Sequence, residues 1–333
     1  MDAAADCGQQ ATPDDETLLT KPQCDTPQYD GFVRDFLATN AAPDSKAVVK
    51  LARKLCPTWP IPKQEGRRED PTMVRVAVMD SSFNPPHYCH GAYLECMGVA
   101  ELALAAAEGG REARMLDIDA FLLLLGSSNA DKPLQGASLE QRMRMVDMLA
   151  TTVAVDASAD TWHLWKSRDQ FMASNLHNMA IGMVNTPRFV DKCRAVRDVV
   201  QAEWRQVNSG KCQVPPSVLC YFAMGWDTLI RFFDTKYYGQ DFPGDIDRFF
   251  GEGGRIAYSR RVGFPGSDVD AFFGQTLLAP YLQYMYELTL PKRVEHISST
   301  DVRRAVCLST QSVRDIPPRI LEYINSSQLY RAE

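Results

Sequence analysis

Two of the five histidines in this chain lie three residues apart in a short polar turn. His87 and His90 follow Pro85 and Pro86 in the stretch "DSSFNPPHYCH", directly after a mostly apolar run at residues 74–80. At this spacing both imidazoles lie on one face of a helix, and a helix N-terminus favours a bound anion. The pair could therefore hold a phosphoryl group during transfer, a reaction that depends mainly on positioning and charge stabilisation.

The same two histidines also have simpler interpretations. One could cap the helix while the other is an ordinary surface residue. A pair at this spacing could also bind a metal ion, but no further His, Cys or carboxylate lies nearby at ligand spacing.

A second group of hydroxyl side chains begins another predicted helix far along the chain. Ser298, Ser299 and Thr300 start the stretch "SSTDVRRAV", and Arg303 follows one turn later. Hydroxyls and unpaired backbone N–H groups at a helix start can bind an anion, and a guanidinium can contact phosphate at two points. Taken alone, these residues are equally typical of a helix cap.

The elements that must position these residues alternate between strands and helices. Short apolar runs at 74–80, 121–125, 218–225 and 254–259 predict buried strands. Helical spacing at 90–110, 136–152 and 187–207 predicts the helices between them, and Ser138 and Gln141 have capping-box spacing. The pattern predicts an α/β fold: a Rossmann-like, doubly wound, mostly parallel sheet with helices on both faces.

Such a sheet binds its ligand beyond the carboxyl ends of its strands, where the strand order reverses. Both polar motifs should therefore lie at that edge, together with residues 126–132, 225–228 and 259–261, which follow other predicted strands. The net charge of −6 argues against a general nucleic-acid or anionic-membrane surface. The odd number of cysteines, nine, favours reduced thiols in a cytoplasmic or nuclear protein, and neither a signal peptide nor a membrane span is expected.

The first motif resembles a known signature, G-[ST]-F-[ND]-P-x-[HT]-x-G-H, of the nucleotidyltransferase α/β-phosphodiesterase superfamily. Two positions depart from the signature, because Ser81 and Cys89 stand where glycine is usual; both are small residues, so backbone can still approach a phosphate closely. The matching residues are Ser82, Phe83, Asn84, Pro85, His87 and His90.

The second motif narrows the resemblance to one family. "ISSTDVR" is similar to the I-S-S-T-x-[IV]-R motif of nicotinamide mononucleotide (NMN) adenylyltransferases, which in that family holds the β- and γ-phosphates of ATP. "GWDTLIRFFDTKYY" resembles the fungal branch most, and the tail "IPPRILEYINSSQLY" resembles the C-terminal helix of bacterial members. The resemblance covers roughly residues 74–330.

The resemblance implies adenylyl transfer from ATP to NMN, giving NAD and pyrophosphate, with Mg²⁺ entering with ATP. It leaves open nicotinic acid mononucleotide as the acceptor and self-association. The net charge predicts no nucleic-acid and no membrane partner, and the sequence shows no dedicated carboxylate ligands for a metal ion. The resemblance assigns catalytic roles to His87, His90, Lys132 and Arg303; ATP binding to Ser81, Ser82, Phe83, His90, Gly225, Asp227, Ser298, Ser299, Thr300 and Arg303; and substrate binding to Asn84, Lys132, Trp162, Trp226 and Arg260. Arg142 matches a recurring arginine of the family.

The domain organisation follows from the extent of this resemblance. Residues 1–70 are expected to form a partly disordered tail with short helices at 29–40 and 45–56. Residues 71–333 form the expected nucleotidyltransferase domain, with a helical insertion around 166–215.

Two other functions stay open at this point. The chain could transfer an adenylyl or cytidylyl group to a different phosphate acceptor. Alternatively, because Ser81 and Cys89 interrupt the signature, it could be a non-catalytic nucleotide-binding protein or sensor.

Overall fold

A computed structural model provides the structure of this protein. Two residues predicted to be in the site, Lys132 and Trp162, lie outside the described residues, as does most of the predicted N-terminal tail. The structure describes residues 29–40, 46–62, 72–104, 113–127, 136–155, 163–164, 168–209, 214–238, 241–260, 271–308 and 313–331.

The strands of the described residues form one nine-stranded sheet. They are β1 (Val49–Lys54), β2 (Met73–Ser81), β3 (Leu102–Leu104), β4 (Ala113–Arg114), β5 (Ala120–Gly126), β6 (Met179–Val184), β7 (Ser217–Gly225), β8 (Gly254–Ser259) and β9 (Met285–Leu288).

The helices that connect or flank these strands are mostly amphipathic. They are α1 (Asp30–Thr39), α2 (Tyr88–Val99), α3 (Leu139–Val155), α4 (Arg168–Ala173), α5 (Phe189–Val207), α6 (Trp226–Phe232), α7 (Phe242–Gly251), α8 (Ser299–Cys307) and α9 (Pro318–Ser326).

The strand order of the sheet confirms the predicted fold class. Six parallel strands lie side by side in the order β6-β5-β2-β7-β8-β9. Numbered among themselves along the chain, they run 3-2-1-4-5-6, which is the Rossmann order. Antiparallel strands extend both edges: β1 pairs with β6, and β3 and β4 continue beyond β9. The order reverses between β2 and β7, so a ligand-binding crevice is expected there.

The sheet separates two hydrophobic cores, because alternate side chains of each strand point to opposite faces. Ala77 and Met79 of β2 pack into one core with α1, α2, α3, α8 and α9. Val76 and Val78 pack into the other with α5, α6 and α7. Helices thus cover both faces, as the doubly wound prediction requires.

Several local predictions are confirmed by the structure. The apolar runs at 74–80, 121–125, 218–225 and 254–259 correspond to β2, β5, β7 and β8. At the start of α3, Ser138 N donates to Gln141 Oε1 at 2.8 Å and Gln141 N donates to Ser138 Oγ at 3.3 Å, so the capping box is present.

Of two further predicted helices, the one at 45–56 is wrong and the one at 90–110 is too long. Of the range 45–56, residues 49–54 form β1, a strand paired with β6. Val49 and Leu51 alternate with charged residues, a pattern typical of an edge strand, and tertiary pairing overrides the helical tendency of the lysines. The helix expected at 90–110 ends at Val99, and β3 follows it.

The domain organisation also differs from the expected one. The range 166–215 contains, besides α4 and α5, the fully buried strand β6. This range is therefore a strand–helix unit of the sheet rather than a helical insertion. Likewise, α1 packs into the first core and β1 extends the sheet, so these two elements belong to the same fold. Among the described residues, no helix combines the length and apolar character needed to cross a membrane.

Candidate active site

The first polar motif forms the connection between β2 and α2. The chain leaves the sheet at Ser81 and enters the helix at Tyr88. Within the turn, Phe83 has a φ of 43°, in the left-handed region that bulky residues rarely adopt. Its ring is fully buried and lies 5.0 Å from the His90 ring, so packing holds this uncommon backbone conformation in place. Backbone conformations of this kind cluster at ligand-binding sites.

His87 and His90 face each other at the N-terminus of α2. Their ring centroids are 3.8 Å apart, and both side chains are buried. His90 Nδ1 accepts a hydrogen bond from the backbone N–H of His87 at 3.1 Å, and its Nε2 lies 3.2 Å from Ser81 Oγ. Because Nδ1 is an acceptor, a neutral His90 carries its proton on Nε2 and is a donor on that side.

Burial keeps both imidazoles uncharged. It lowers the pKa of His90 to about 3 and lowers the pKa of His87 well below its ordinary value, with the neighbouring His90 adding to the second shift. Near neutral pH the pair therefore presents hydrogen-bond donors rather than two cations. The sequence could not indicate this, because the shift comes from burial.

The second motif lies directly against the first. At the start of α8, the hydroxyl of Ser299 donates to the carbonyl oxygen of Pro85 at 2.9 Å. Arg303 Nη1 donates to the carbonyl oxygen of Asn84 at 2.5 Å, and its Nη2 donates to Thr300 Oγ1 at 3.2 Å. More than 200 residues of sequence separate these partners. The structure thus brings together the two motifs that the sequence singled out separately.

The cap of α8 has the form expected for a helix start. Ser298 is the N-cap residue, and its Oγ accepts from the backbone N–H of Asp301 at 3.2 Å while donating to the Asp301 carboxylate at 2.6 Å. Ser298 thus satisfies the helix end, whereas Ser299 and Arg303 fix the helix against the β2–α2 turn.

A second arginine, Arg142 of α3, also hydrogen-bonds to the β2–α2 turn. Its side chain is buried; Nε donates to the Ala137 carbonyl oxygen at 2.8 Å and Nη1 to the Ser82 carbonyl oxygen at 3.4 Å. Burial lowers the pKa of Arg142, and the nearby charge of Arg303 lowers it further. Two guanidinium groups therefore lie close together beside the turn, an arrangement that a bound anion would stabilise.

Gly225 and Asp227 lie across the expected crevice, where β7 passes into α6. Gly225 is the N-cap residue of α6, and a Cβ atom there would lie 3.4 Å from the hydroxyl of Tyr93 on α2. Asp227 follows in the first turn of α6. β7 is the neighbour of β2 at the point where the strand order reverses, so the structure places both residues at the predicted edge.

The Trp226 ring belongs to the second core and is almost fully buried. It packs against Tyr258, Phe272 and Phe273 at centroid distances of 5.2–6.2 Å. This packing leaves no exposed ring face for a substrate. Its indole Nε1 is buried as well and has no hydrogen-bond partner within the described part of the chain, so the structure gives Trp226 a place in the core rather than at a substrate surface.

Arg260 lies farther along the same edge, directly after β8. Its Nη2 is 2.8 Å from the carboxylate of Glu287 on β9, and β7 separates it from the two motifs. Ser259, one residue earlier, hydrogen-bonds to the hydroxyl of Tyr93 and thereby ties the end of β8 to α2. The structure therefore places Arg260 at the predicted edge of the sheet but not in contact with the β2–α2 turn.

Tyr330 is a site residue that sequence reasoning missed. Its hydroxyl donates to Asn84 Oδ1 at 2.7 Å, although it lies 246 residues away. The resemblance of the C-terminal stretch to bacterial members was the available signal, but spacing could not indicate which side chain reaches the turn.

For metal ions, the described residues contain no group of three or more His, Cys, Asp or Glu side chains placed to bind one.

Comparison with known proteins gives a relative for most of the chain. No family model matches it. The chain is 27% identical over 270 residues to a Schizosaccharomyces pombe protein named "Putative nicotinamide mononucleotide adenylyltransferase", covering 77% of this chain and 86% of that protein. Among solved structures, it is similar to the Plasmodium falciparum nicotinic acid mononucleotide adenylyltransferase complexed with APC, at 11% identity. That match covers 77% of this chain and 97% of the other, with a TM-score of 0.46. The sequence relative supports the family that the two motifs indicate.

Proposed function

We propose that this chain is a member of the nicotinamide mononucleotide adenylyltransferase family and that it transfers the adenylyl group of ATP to NMN, giving NAD and pyrophosphate. The main support is the contact between the two motifs that resemble phosphate-binding segments of the family, the β2–α2 turn and the start of α8. Arg303 of α8 donates to the carbonyl oxygen of Asn84 in the β2–α2 turn at 2.5 Å. Two helix N-termini that meet at one strand end can hold successive phosphates of a single triphosphate.

The proposed reaction requires no nucleophile from the protein. The 5′-phosphate of NMN has a second pKa of about 6, so it is largely ionised at neutral pH. One of its oxygens attacks the α-phosphorus of ATP in line, and the bond from that phosphorus to the oxygen bridging the α- and β-phosphates breaks. The electron pair leaves with pyrophosphate. Catalysis then consists of alignment and stabilisation of developing charge.

His90 and His87 act in this proposal at the α-phosphate. His90 Nε2 carries a proton and is fixed by the bond from the His87 backbone to Nδ1, so it is a preorganised donor. A neutral donor in a buried turn stabilises charge that develops on the phosphoryl oxygens, and its position needs no adjustment during the reaction.

Arg303, Ser299 and Thr300 act at the leaving pyrophosphate. Arg303 is held by Asn84 O and Thr300 Oγ1, so its guanidinium keeps one orientation. A fixed cation and a helix N-terminus favour the group on which negative charge accumulates as the bond breaks.

Mg²⁺ is proposed to enter with ATP and to neutralise part of its phosphate charge. The side chains that meet at the turn are hydrogen-bond donors and guanidinium groups, which suit phosphate oxygens rather than a cation. Lys132 and Asn84 remain proposed contacts of the phosphates and of NMN, and Trp162 and Arg260 remain proposed contacts of NMN.

The activity is tested with purified protein, MgATP and a panel of acceptors. The proposal expects pyrophosphate release with NMN, with the second product identified as NAD by mass spectrometry. Nicotinic acid mononucleotide with ATP and phosphocholine with CTP are the comparison reactions. The proposal is contradicted if ATP raises the melting temperature while no pair of substrates releases pyrophosphate, which is the behaviour of a nucleotide-binding protein without turnover.

A further inference from the structure

The turn that follows α9 folds back onto the β2–α2 turn. After α9, Gln328 and Tyr330 have φ values of 53° and 61°, both in the left-handed region. The backbone N–H of Leu329 donates to the carbonyl oxygen of Ile324 at 3.0 Å, which closes this reversal against the helix end. The chain thus adopts two uncommon backbone conformations, and the result is that the Tyr330 hydroxyl reaches Asn84.

The carboxamide of Asn84 is held from two sides. Its Oδ1 accepts from the Tyr330 hydroxyl at 2.7 Å and from the backbone N–H of Ala137 at 3.3 Å. Gly136 packs close by: a Cβ atom there would lie 3.0 Å from both terminal atoms of the Asn84 side chain and 3.1 Å from the Tyr330 ring. Gly136 also has a φ of 82°, a backbone conformation that favours glycine, and the short contacts leave little room for a side chain.

Burial keeps Tyr330 a hydrogen-bond donor. Burial raises the pKa of Tyr330 above its ordinary value, while the charges of Arg142 and Arg303 oppose that shift without reversing it. The phenol therefore stays protonated across the physiological range. Its neighbours are the two arginines that also hold the β2–α2 turn, through the carbonyl oxygens of Ser82 and Asn84.

We propose that Tyr330 is a positioning residue for the reaction: its hydroxyl fixes the Asn84 carboxamide and, through Asn84, the shape of the turn that holds the phosphates. Tyr330 acts through Asn84 and not on the substrate itself. This inference rests on the proposed function for the meaning of the turn. It goes further in assigning the C-terminal segment to the site.

The test is a double-mutant cycle between Tyr330 and Asn84. Tyr330→Phe removes only the hydroxyl and keeps the ring, and loss of one neutral hydrogen bond should lower kcat/KM for ATP by about 3- to 10-fold. In the Asn84→Ala background the same substitution should change kcat/KM by less than about 1.5-fold, because its partner is already gone.

Tyr238→Phe is the matched control. The Tyr238 hydroxyl also donates a buried hydrogen bond of 2.7 Å, to the carbonyl oxygen of Phe232, but it lies in the second core among α6 and α7. It should lower the melting temperature about as much as Tyr330→Phe and leave kcat/KM unchanged. Equal losses of activity in both variants would reduce Tyr330 to a structural residue and overturn the proposal.

The cycle is repeated on the dissociation constant of ATP, measured by calorimetry, so that the two proposals fail separately. If the wild type binds ATP but makes no NAD, the proposed activity fails, and the affinity cycle still decides the role of Tyr330. Coupling of Tyr330 to Asn84 in affinity supports the positioning role. An equal effect of Tyr330→Phe in both backgrounds, or wild-type behaviour of Tyr330→Phe, contradicts it. A wild type that neither binds ATP nor turns it over ends both proposals.

Discussion

The two helix N-termini that meet at the end of β2 differ in the kind of group that they present. α2 presents His87 and His90, which are buried and neutral because burial lowers their pKa values. α8 presents Arg303, whose charge is permanent and whose position is fixed by the Asn84 carbonyl oxygen. The comparison suggests a division of work, with neutral donors where phosphorus is attacked and a fixed cation where pyrophosphate leaves.

Removal of the neutral hydrogen-bond donor His90 should have the largest effect on kcat. In His90→Ala, the α-phosphate loses a preorganised donor, so kcat should fall about 100- to 1000-fold. The measurement is steady-state pyrophosphate release with ATP and NMN, with circular dichroism to confirm folding. A kcat near that of the wild type would show that His90 in the β2–α2 turn does not act on the reacting phosphate.

Replacement of Arg303, whose guanidinium can contact phosphate at two points, should have the next largest effect on kcat. Arg303→Lys keeps the charge but loses the fixed planar geometry, and kcat should fall about 10- to 100-fold, the value of a charged hydrogen bond. Arg304→Lys on the same helix is the control, since the Arg304 side chain is 71% exposed and pairs only weakly, at 3.6 Å, with Asp301. Similar losses in the two variants would mean that overall charge on α8, not the Arg303 contact, is what matters.

The neutral state of His90 can be tested by stability alone. The unfolded chain takes up a proton below the ordinary pKa of 6.5, whereas buried His90 does so only near 3, so stability falls as pH decreases from about 6.5 toward 3. Between pH 7 and pH 5, the wild type should lose about 2 kcal/mol more unfolding free energy than His90→Asn. Denaturant titrations at both pH values measure this difference, and equal losses would indicate that His90 is not neutral by burial.

A change outside the site should affect stability only. Ser138→Ala removes one half of the capping box of α3 and should cost about 1 kcal/mol of unfolding free energy, with kcat unchanged. Thermal and denaturant unfolding together with the activity assay measure both quantities. A marked loss of kcat would show that the start of α3, which leads to Arg142, is coupled to the site more strongly than the structure indicates.

How much of the fold could be predicted depended on where each strand lies. β5 is buried on both faces and therefore appears in the sequence as a continuous apolar run, and β2, β7 and β8 appear as mostly apolar runs. β1 is an edge strand with three charged side chains, and its spacing is compatible with a helix. β6 and β9 are short, at six and four residues, and the periodicity of so short a run does not distinguish a strand from a buried helix segment.

The site was predictable where it depends on local chemistry and unpredictable where it depends on packing. Helix starts rich in hydroxyl and imidazole groups could be identified from the sequence, and the family resemblance indicated that they share one ligand. The contact of Tyr330 with Asn84 and the packing of Trp226 into the second core arise only when distant segments meet. Spacing along the chain contains no information on either.

The most direct test of the account is a crystal structure of the protein with a non-hydrolysable ATP analogue. The account predicts one triphosphate spanning both turns, with its α-phosphate within hydrogen-bond distance of His90 Nε2 and its terminal phosphates at the N-terminus of α8 beside Arg303. An analogue bound at only one of these turns, or with its phosphates away from both, would contradict it.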